Sequence, residues 1–247
     1  MKKQHLAICE SFYSIQGEGP SMGTPALFLR LAGCNLQCPG FSYRHPETGE
    51  HLGCDTKHVW RQGKLRSFDD ILAFWETKTW LDKLAQGAHL VISGGEPLMQ
   101  QTPLLAFILA LKTRIPHVFI EIETNATQAM ATPLIPHLNQ INASPKLKCS
   151  GEPAEKRYLQ HVLTQYAAAT QCVFKFVVQT SEDVSEIDRD FVTPLNLSPD
   201  RIWLMPEGGT KDAIMEKSPW IIELCKQRGF RFTTRLHILL WGEVVGV

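Results

Sequence analysis

The sequence predicts an α/β protein built on a parallel sheet. Short apolar runs with strand character alternate along the chain with amphipathic segments, and strands that alternate with helices form parallel sheets with right-handed crossovers. The number of strands predicts an incomplete or curved β/α barrel. Glycine-rich and polar turns follow several strands, and functional residues collect at the carboxyl ends of strands in such folds. We expect one domain over residues 1–247.

Eight apolar segments are predicted as strands and three amphipathic segments as helices. The strands are residues 6–15, 25–32, 89–97 with its glycine turn, 118–125, 140–146, 173–178, 202–205 and 230–240. The helices are residues 67–86, 102–112 and 211–228. Ser67 is a suitable N-cap for the first helix, and Gly229 stops the last one. The apolar face of the first helix consists of Ile71, Leu72, Phe74, Trp75, Leu81 and Leu84.

The composition is that of an ordinary soluble protein. Hydrophobic residues make up 44% of the chain and charged residues 20%. Lys and Arg total 25, as do Asp and Glu, so no global charge favours a nucleic-acid partner. No apolar run approaches the ~20 residues that cross a bilayer, and no signal-type apolar core follows the N-terminus. We expect a cytoplasmic protein with neither a membrane nor a nucleic-acid partner.

Three of the seven cysteines, Cys34, Cys38 and Cys54, lie close together in the sequence, just after an apolar strand. Three thiolates would leave one iron of a [4Fe-4S] cube free to bind a small molecule, because such a cube is usually held by four. A zinc ion held by the three thiolates and one histidine is an alternative that the cysteines alone leave open. The histidines available for it are His45, His51 and His58. A disulfide is disfavoured by the odd cysteine count.

Sequence motifs around and beyond the cysteines decide between these alternatives. In chain order they are residues 14–20 (SIQGEGP), 28–36 (FLRLAGCNL), 94–98 (GGEPL), 123–125 (ETN), 144–146 (SPK), 204–207 (LMPE) and 235–237 (RLH). With this ordered set, the chain closely resembles the radical S-adenosylmethionine (SAM) enzymes called 7-carboxy-7-deazaguanine synthase over nearly its whole length. The resemblance implies the radical SAM fold, a partial (incomplete) TIM-type β/α barrel.

The chain departs from this family at the third cysteine. The family usually spaces its cluster ligands as Cys-x3-Cys-x2-Cys followed by Asp and Thr, whereas Phe41 stands here where the third cysteine would fall. Fifteen residues separate Cys38 from Cys54, which is followed by the expected Asp55 and Thr56. We therefore interpret residues 41–53 as an irregular surface loop inserted between the second and third ligands. Gly53 replaces an aromatic residue that the family often has beside the SAM adenine.

The resemblance implies three cofactors: a [4Fe-4S] cluster on Cys34, Cys38 and Cys54, SAM on its free iron, and Mg2+ on the hydroxyl of Thr56. SAM would also contact the glycine turn after the strand 89–97 and the Ser-Pro-Lys segment. The SAM-binding residues expected from the resemblance are Gly53, Cys54, Asp55, Gly95, Glu96, Ser144, Pro145 and Lys146. Without it, the glycine turn is only a strand-to-helix turn and Lys146 a surface lysine.

The implied reaction converts 6-carboxy-5,6,7,8-tetrahydropterin to 7-carboxy-7-deazaguanine and ammonia in 7-deazapurine biosynthesis, after a 5′-deoxyadenosyl radical takes hydrogen from C6. Glu123 and His237 are the expected catalytic residues beside the cluster cysteines. The expected substrate contacts are Ile15, Gln16, Gly17, Glu18, Arg30, Ser93, Asn125 and Val247. From the residues alone, Arg30 could lie on an exposed strand face. The pair Glu121 and Glu123, which share a strand face, could likewise be solvated at a sheet edge.

Two rival functions share some of these features. A radical SAM activase that makes a glycyl radical on a partner protein would have the cluster and the glycine turn, but would not require Gln16-Gly17-Glu18-Gly19 or Arg235-Leu236-His237. A non-enzymatic zinc-binding module would need only the cysteines. The resemblance further implies an electron donor such as flavodoxin or ferredoxin, and a homodimer.

Overall fold

The computed structural model describes residues 4–45 and 47–242, together with residues 244 and 246. The strands are β1 His5–Ile15, β2 Pro25–Leu31, β3 Tyr43–Arg44, β4 His51–Gly53, β5 Lys64–Ser67, β6 His89–Gly94, β7 Ile120–Thr124, β8 Gln140–Ala143, β9 Cys172–Val178, β10 Ile202–Pro206 and β11 Arg231–Phe232. The α-helices are α1 Lys57–Trp60, α2 Phe68–Thr77, α3 Trp80–Ala85, α4 Gln101–Arg114, α5 Ala154–Arg157, α6 Gln160–Ala168, α7 Ser181–Ile187, α8 Thr193–Leu195, α9 Lys211–Arg228 and α10 Leu236–Trp241. Short 3-10 turns and a π-helical turn, Asp188–Val192, connect some of them.

Nine strands form one large sheet in the order β11-β10-β9-β8-β7-β6-β2-β1-β5. The strands from β11 to β2 are parallel to their neighbours, while β1 pairs antiparallel with both β2 and β5. Within the described part of the chain, the edge strands β5 and β11 do not pair with each other, so the sheet is open. The predicted α/β class and incomplete barrel are therefore confirmed.

The two faces of the sheet have different surroundings because side chains alternate along each strand. On β9, for example, Phe174, Phe176 and Val178 join the main hydrophobic core under the helices, whereas Lys175 and Val177 lie on the opposite, inner face and line a cavity. Glu121 and Glu123 share that inner face on β7, a central strand between β6 and β8. The sheet-edge alternative for this pair of carboxylates is thereby excluded.

Residues 67–86 form two helices where one was predicted. Ser67 caps α2 as expected, because its hydroxyl accepts the backbone N–H of Asp70 at 3.2 Å. The chain then turns at Thr79, whose φ of +58° lies in the left-handed region and ends the helical path before α3. Trp75 is fully buried, but Phe74, also assigned to the apolar face, is 45% exposed. The prediction that Phe74 belongs to the apolar face is wrong, because α2 presents only a narrow stripe of side chains to the core.

Two further predictions of local structure are wrong. Residues 41–53 were expected to be irregular, but β3 and β4 pair there as an antiparallel hairpin. The predicted strand 230–240 consists of the two-residue β11 followed by helix α10. An apolar run of this length suits either a strand or a helix, and the contact that favours the helix is remote in sequence: the N–H of Leu236 donates to the carbonyl of Gly17 at 2.9 Å. Among the described residues, no helix is long and apolar enough to cross a membrane.

We predict that Trp75→Ala destabilises the fold strongly. The indole is fully buried and packs edge-on against Phe107, with ring centroids 5.6 Å apart. Its loss should lower the free energy of unfolding by about 3–5 kcal/mol, measured by denaturant titration. Phe74→Ala, one residue away and exposed, is the matched control and should cost less than about 1 kcal/mol. Equal losses in the two variants would contradict this description of the core.

Candidate active site

A cavity of about 320 Å³ lies against the inner face of the sheet, at the carboxyl ends of the parallel strands. Most of the residues predicted from the sequence line it. They are Ile15, Gln16, Gly17, Glu18, Arg30, Cys34, Cys38, Gly53, Cys54, Asp55, Thr56, Ser93, Gly95, Glu123, Asn125, Ser144, Lys146 and His237. Glu96 and Pro145 are buried beside the cavity without lining it. Val247 lies outside the described residues.

The three predicted ligand cysteines share this cavity wall. Cys34 follows β2, Cys38 lies in the same loop, and Cys54 follows β4 at the end of the hairpin. Burial raises the pKa of each thiol, to about 12 for Cys38, and Cys54 raises the pKa of both Cys34 and Cys38 further through its charge. Thiols that influence one another in this way are close in space. Iron ligation would replace their protons.

Backbone segments pack around these cysteines more closely than any side chain would permit. A β-carbon on Gly53 would overlap the carbonyl oxygen of Cys38 and lie 2.8 Å from the Cα of Pro39. A β-carbon on Gly95 would lie 2.6 Å from that of Cys34. Gly53 also has a φ of +74°, which favours glycine. The predicted departure at position 53 therefore has a physical reason: a residue with a side chain cannot occupy it.

The loop that carries Cys38 is held by Glu152, whose carboxylate accepts the backbone N–H groups of Gln37 and, at 2.6 Å, of Cys38. The cavity also offers a basic group near the thiols. Lys146 lowers the pKa of all three cysteines by its charge, while its ammonium group donates to the carbonyl of Ser144 at 3.0 Å. The charge of Lys146 suits a site in which thiolates accumulate negative charge, whereas Glu152 raises the pKa of Cys38 and serves to hold the loop.

The donor set fits an iron–sulfur cube better than a zinc ion. Within the described ranges, no three His, Cys, Asp or Glu side chains are arranged to hold a single metal ion, and the cysteines of a cube bind different irons. Two of the candidate histidines make other contacts, whereas the buried Nδ1 of His58 has no hydrogen-bond partner among the described residues. A ring nitrogen of His51 donates to the carbonyl of Phe41 at 2.8 Å, and His45 packs edge-on against His58.

Glu96 supports the site instead of facing it. Its fully buried carboxylate accepts the N–H of Asn125 at 2.7 Å and the hydroxyl of Thr124 at 2.9 Å. Burial raises its pKa, and these donors oppose that rise. Glu96 therefore fixes the turn after β7, which in turn places the side-chain amide of Asn125 3.9 Å from the sulfur of Cys34. Asn125, predicted as a substrate contact, thus lies beside the cysteines.

The other half of the cavity is polar and centred on Glu123. Its carboxylate accepts the side-chain amide of Gln16 at 3.3 Å and the hydroxyl of Ser93 at 3.2 Å. The loop after β1 is held close to α10, because a β-carbon on Gly17 would lie 2.5 Å from the ring of His237. The structure thus brings together residues from four segments that the sequence separates widely.

A chain of opposite charges connects this half to the cysteines. Glu18 pairs with Lys175 and lies 3.4 Å from Arg235, which also pairs with Asp55, the residue after Cys54. Burial alone would raise the pKa values of Glu18 and Asp55, but the neighbouring cations lower both, that of Glu18 to about 2. Both carboxylates are therefore ionised at neutral pH.

Arg30 lies at the edge of the cavity in a partly apolar setting. Its Nε donates to Glu10 at 2.8 Å, and the guanidinium lies 5.8 Å from the ring centroid of Phe12, which stacks on Phe28. In the described part of the chain, no hydrogen bond uses the two Nη atoms of Arg30. They remain as a fork of donors toward the cavity.

The sequence analysis does not identify several residues that line or support the cavity. Lys175 carried a recognisable signal, because it is the one charge in the apolar run 173–178, as Arg30 is in 25–32. Arg235 was noted only as part of a motif. Glu152 carried no local signal, since its role depends on a loop more than a hundred residues away.

We predict that Gly53→Ala impairs assembly of the metal site more than Gly49→Ala. Both glycines have positive φ, +74° and +69°, so both substitutions strain the backbone by about 1–3 kcal/mol. A β-carbon at Gly49 would meet nothing within 4 Å, whereas one at Gly53 would overlap the Cys38 carbonyl. Iron and sulfide content after anaerobic reconstitution should fall for Gly53→Ala alone. Equal iron content in both variants would contradict the close approach.

Known proteins resemble the chain in sequence and structure, although no family model matches it. The 7-carboxy-7-deazaguanine synthase of Pyrobaculum aerophilum is 32% identical over 243 residues, covering 98% of this chain and 97% of the relative. That of Halobacterium salinarum is 30% identical over 260 residues, covering 96% and 91%. The crystal structure of QueE from Escherichia coli superposes with a TM-score of 0.66 at 26% identity, covering 94% of this chain and 95% of QueE.

These similarities extend over the whole set of motifs and not over the cysteine region alone. A match of nearly full length to 7-carboxy-7-deazaguanine synthases argues against both the activase and the zinc-module alternatives. The cavity, with its three thiols and its polar half, is consistent with the same assignment. The chain belongs to the 7-carboxy-7-deazaguanine synthase family, radical SAM enzymes of 7-deazapurine biosynthesis.

Proposed function

We propose that this chain converts 6-carboxy-5,6,7,8-tetrahydropterin to 7-carboxy-7-deazaguanine and ammonia, with the residues described above in specific roles. The observation that carries the proposal is a single cavity lined both by three thiols and by the Glu18 and Glu123 carboxylates. A reactive centre and a polar ligand site that share one enclosed space suit radical chemistry, because the protein must orient the substrate and exclude water.

Cys34, Cys38 and Cys54 would hold the [4Fe-4S] cluster, and the proposal treats residues 41–53 as an insertion that leaves this ligand set intact. When bound, the cluster and SAM supply the one-electron chemistry that removes a hydrogen atom from the substrate. The backbone at Gly95 and the Ser144–Lys146 segment would orient SAM, since both border the cysteines. Gly53 would permit close packing here and offers no side-chain contact.

Arg30 would bind the substrate carboxylate through its Nη atoms, because a planar guanidinium matches a carboxylate in a bidentate pair. Glu18 and Glu123 would accept N–H groups of the pterin ring, with Gln16 and Ser93 orienting Glu123. Phe12 and Phe28 form an apolar wall beside Arg30 against which a flat ring system fits.

His237 would move protons during loss of ammonia. Burial lowers its pKa, although Glu18 opposes this effect by its charge. The imidazole is therefore neutral near pH 7 and can accept a proton. Its position against Gly17 keeps it at the substrate end of the cavity.

Thr56 would contribute its hydroxyl to a Mg2+ ion, with the remaining ligands supplied by substrate oxygens and water, as is common for this ion. Thr56 lines the cavity, and its hydroxyl lies 3.4 Å from the sulfur of Cys54. The proposal also includes a single domain and a cytoplasmic location, which the length and composition of the chain favour. The family further implies a flavodoxin or ferredoxin as electron donor and a homodimer.

We predict that Cys54→Ala abolishes both cluster assembly and product formation. The purified protein is reconstituted anaerobically with iron and sulfide, then given SAM, dithionite, Mg2+ and 6-carboxytetrahydropterin, and deazapurine is followed by chromatography. Cys225→Ala is the matched control: its thiol is buried in the hydrophobic core, away from the cavity, so iron content and product should be retained.

Three other outcomes have separate meanings. A wild-type protein that forms the cluster and cleaves SAM without deazapurine would contradict the assigned substrate. A wild-type protein that assembles no cluster would show that the insertion has broken the site. A Cys54→Ala variant with full iron content would show that Cys54 is not the third ligand.

We further predict that Arg30→Ala weakens use of the substrate while leaving SAM cleavage intact. Charge-assisted hydrogen bonds contribute about 1.5–3 kcal/mol, so kcat/KM should fall roughly 10- to 150-fold. Arg30→Lys keeps the positive charge without the fork of donors, so its kcat/KM should lie between those of wild type and Arg30→Ala. Arg114→Ala is the control, because Arg114 is an exposed residue of α4 that pairs with Glu76. An unchanged kcat/KM in Arg30→Ala would remove Arg30 from the substrate site.

A further inference from the structure

Lys175 is the buried cation of the substrate half of the cavity and has no role in the function proposed above. It projects from the inner face of β9 and is only 5% exposed. Its ammonium group pairs with Glu18 and lies 3.9 Å from a carboxylate oxygen of Glu123. A buried ammonium ion is stable only when paired, and these two carboxylates come from segments more than a hundred residues apart in sequence.

The position of Lys175 also affects how readily the two carboxylates take up a proton. Glu18 and Glu123 both face one small cavity, and like charges held close together in a protein favour protonation of one of them. Gln16 and Ser93 donate to Glu123 but are neutral. Arg235 lies 3.4 Å from Glu18, but its guanidinium also pairs with Asp55. Within the described residues, Lys175 is thus the cation placed between the two carboxylates.

The charge state of these carboxylates decides which heterocycle they can bind. The pyrimidine edge of a pterin presents an amino group and a ring N–H side by side, and an ionised carboxylate can accept both. A protonated carboxyl group presents a donor to them instead, which opposes binding. We propose that Lys175 is a positioning residue of the substrate site, holding Glu18 as an ionised acceptor beside Glu123 for the N–H edge of the pterin. The inference rests on the proposed function and deepens it.

The surrounding charges support this role. Burial would raise the pKa of Glu18, but Lys175, Arg235 and His237 together lower it to about 2, and Lys175 contributes the largest of these effects. Burial would likewise lower the pKa of Lys175, but Glu18 and Glu123 raise it above its usual value. The other charged groups facing this network are Arg235, His237 and Asp55. Removal of Lys175 should therefore raise the pKa of Glu18.

The test measures binding, not turnover. Wild type and Lys175→Met, both reconstituted with cluster and given SAM, are titrated anaerobically with 6-carboxypterin by calorimetry at pH 5.5 and 7.5. Ionisation of the ligand is common to both proteins. Lys175 also lowers the pKa of His237 by its charge, so the pH dependence of the Kd ratio is assigned to Glu18 only through the Glu18→Gln variant described below. We expect weaker binding to the variant at both pH values. Because one pKa unit corresponds to a tenfold change in protonation, the Kd ratio of variant to wild type should be at least about fivefold larger at pH 5.5 than at pH 7.5.

Further variants separate this role from a structural one. Lys175→Arg keeps the charge and should restore a ratio that does not change with pH. Glu18→Gln added to Lys175→Met removes the carboxylate that takes up the proton, so the pH dependence of the ratio should shrink. Lys226→Met, at an exposed ion pair with Glu223 on α9, should behave as wild type.

Two results would overturn the inference. A Kd ratio for Lys175→Met that is the same at both pH values would mean that Lys175 does not control the ionisation of Glu18. Unchanged affinity in Lys175→Met would exclude it from the site altogether. Failure of wild type to bind 6-carboxypterin, despite a loaded cluster and SAM cleavage, would contradict the proposed function and this inference with it.

Discussion

The close approach of backbone segments around the three cysteines is the constraint on which the site depends. Gly95 meets the Cys34 loop and Gly53 meets the Cys38 carbonyl at distances that leave no room for a β-carbon. Such packing is possible because the carboxyl ends of parallel strands converge on one edge of the sheet, where β2 and β6 are neighbours. Two segments, the loop with Cys34 and Cys38 and the end of the hairpin with Cys54, can then present their sulfur atoms to one cavity.

The polar half of the cavity follows from the same enclosure. Charged groups that are removed from water must be paired, and removal of one partner from a buried pair costs about 3–5 kcal/mol. The ion-pair network meets this requirement, since each member contacts a group of opposite charge. Its members are Glu18, Lys175, Arg235 and Asp55. It also connects the substrate end mechanically to the residue that follows Cys54.

Much of the fold and site was predictable, because strand periodicity and ordered motifs are local signals. The parallel sheet, the inner-face position of Glu123 and the shared cavity of the cysteines follow from them. The features that local patterns do not predict depend on contacts between residues that are remote in sequence. The helix at Leu236 is favoured by the Gly17 carbonyl, which no local pattern reveals. Glu152 likewise supports Cys38 from a position 114 residues away in sequence. The role of Lys175 was missed although its signal equalled that of Arg30, because its partners were not known.

The proposed insertion between Cys38 and Cys54 illustrates how a ligand set would tolerate a large change in spacing. Lengthening the connection from two residues to fifteen is about three doublings, which costs roughly 2 kcal/mol in loop closure. The added residues offset part of this cost by pairing as β3 and β4, and Ser42 is held by Glu207 through its N–H at 3.0 Å. Tyr43 lies directly opposite Gly53 in this hairpin and lines the cavity. In the proposed ligand arrangement, the hairpin returns the chain to Cys54, while Tyr43 supplies an aromatic side chain to the cavity wall that Gly53 itself cannot.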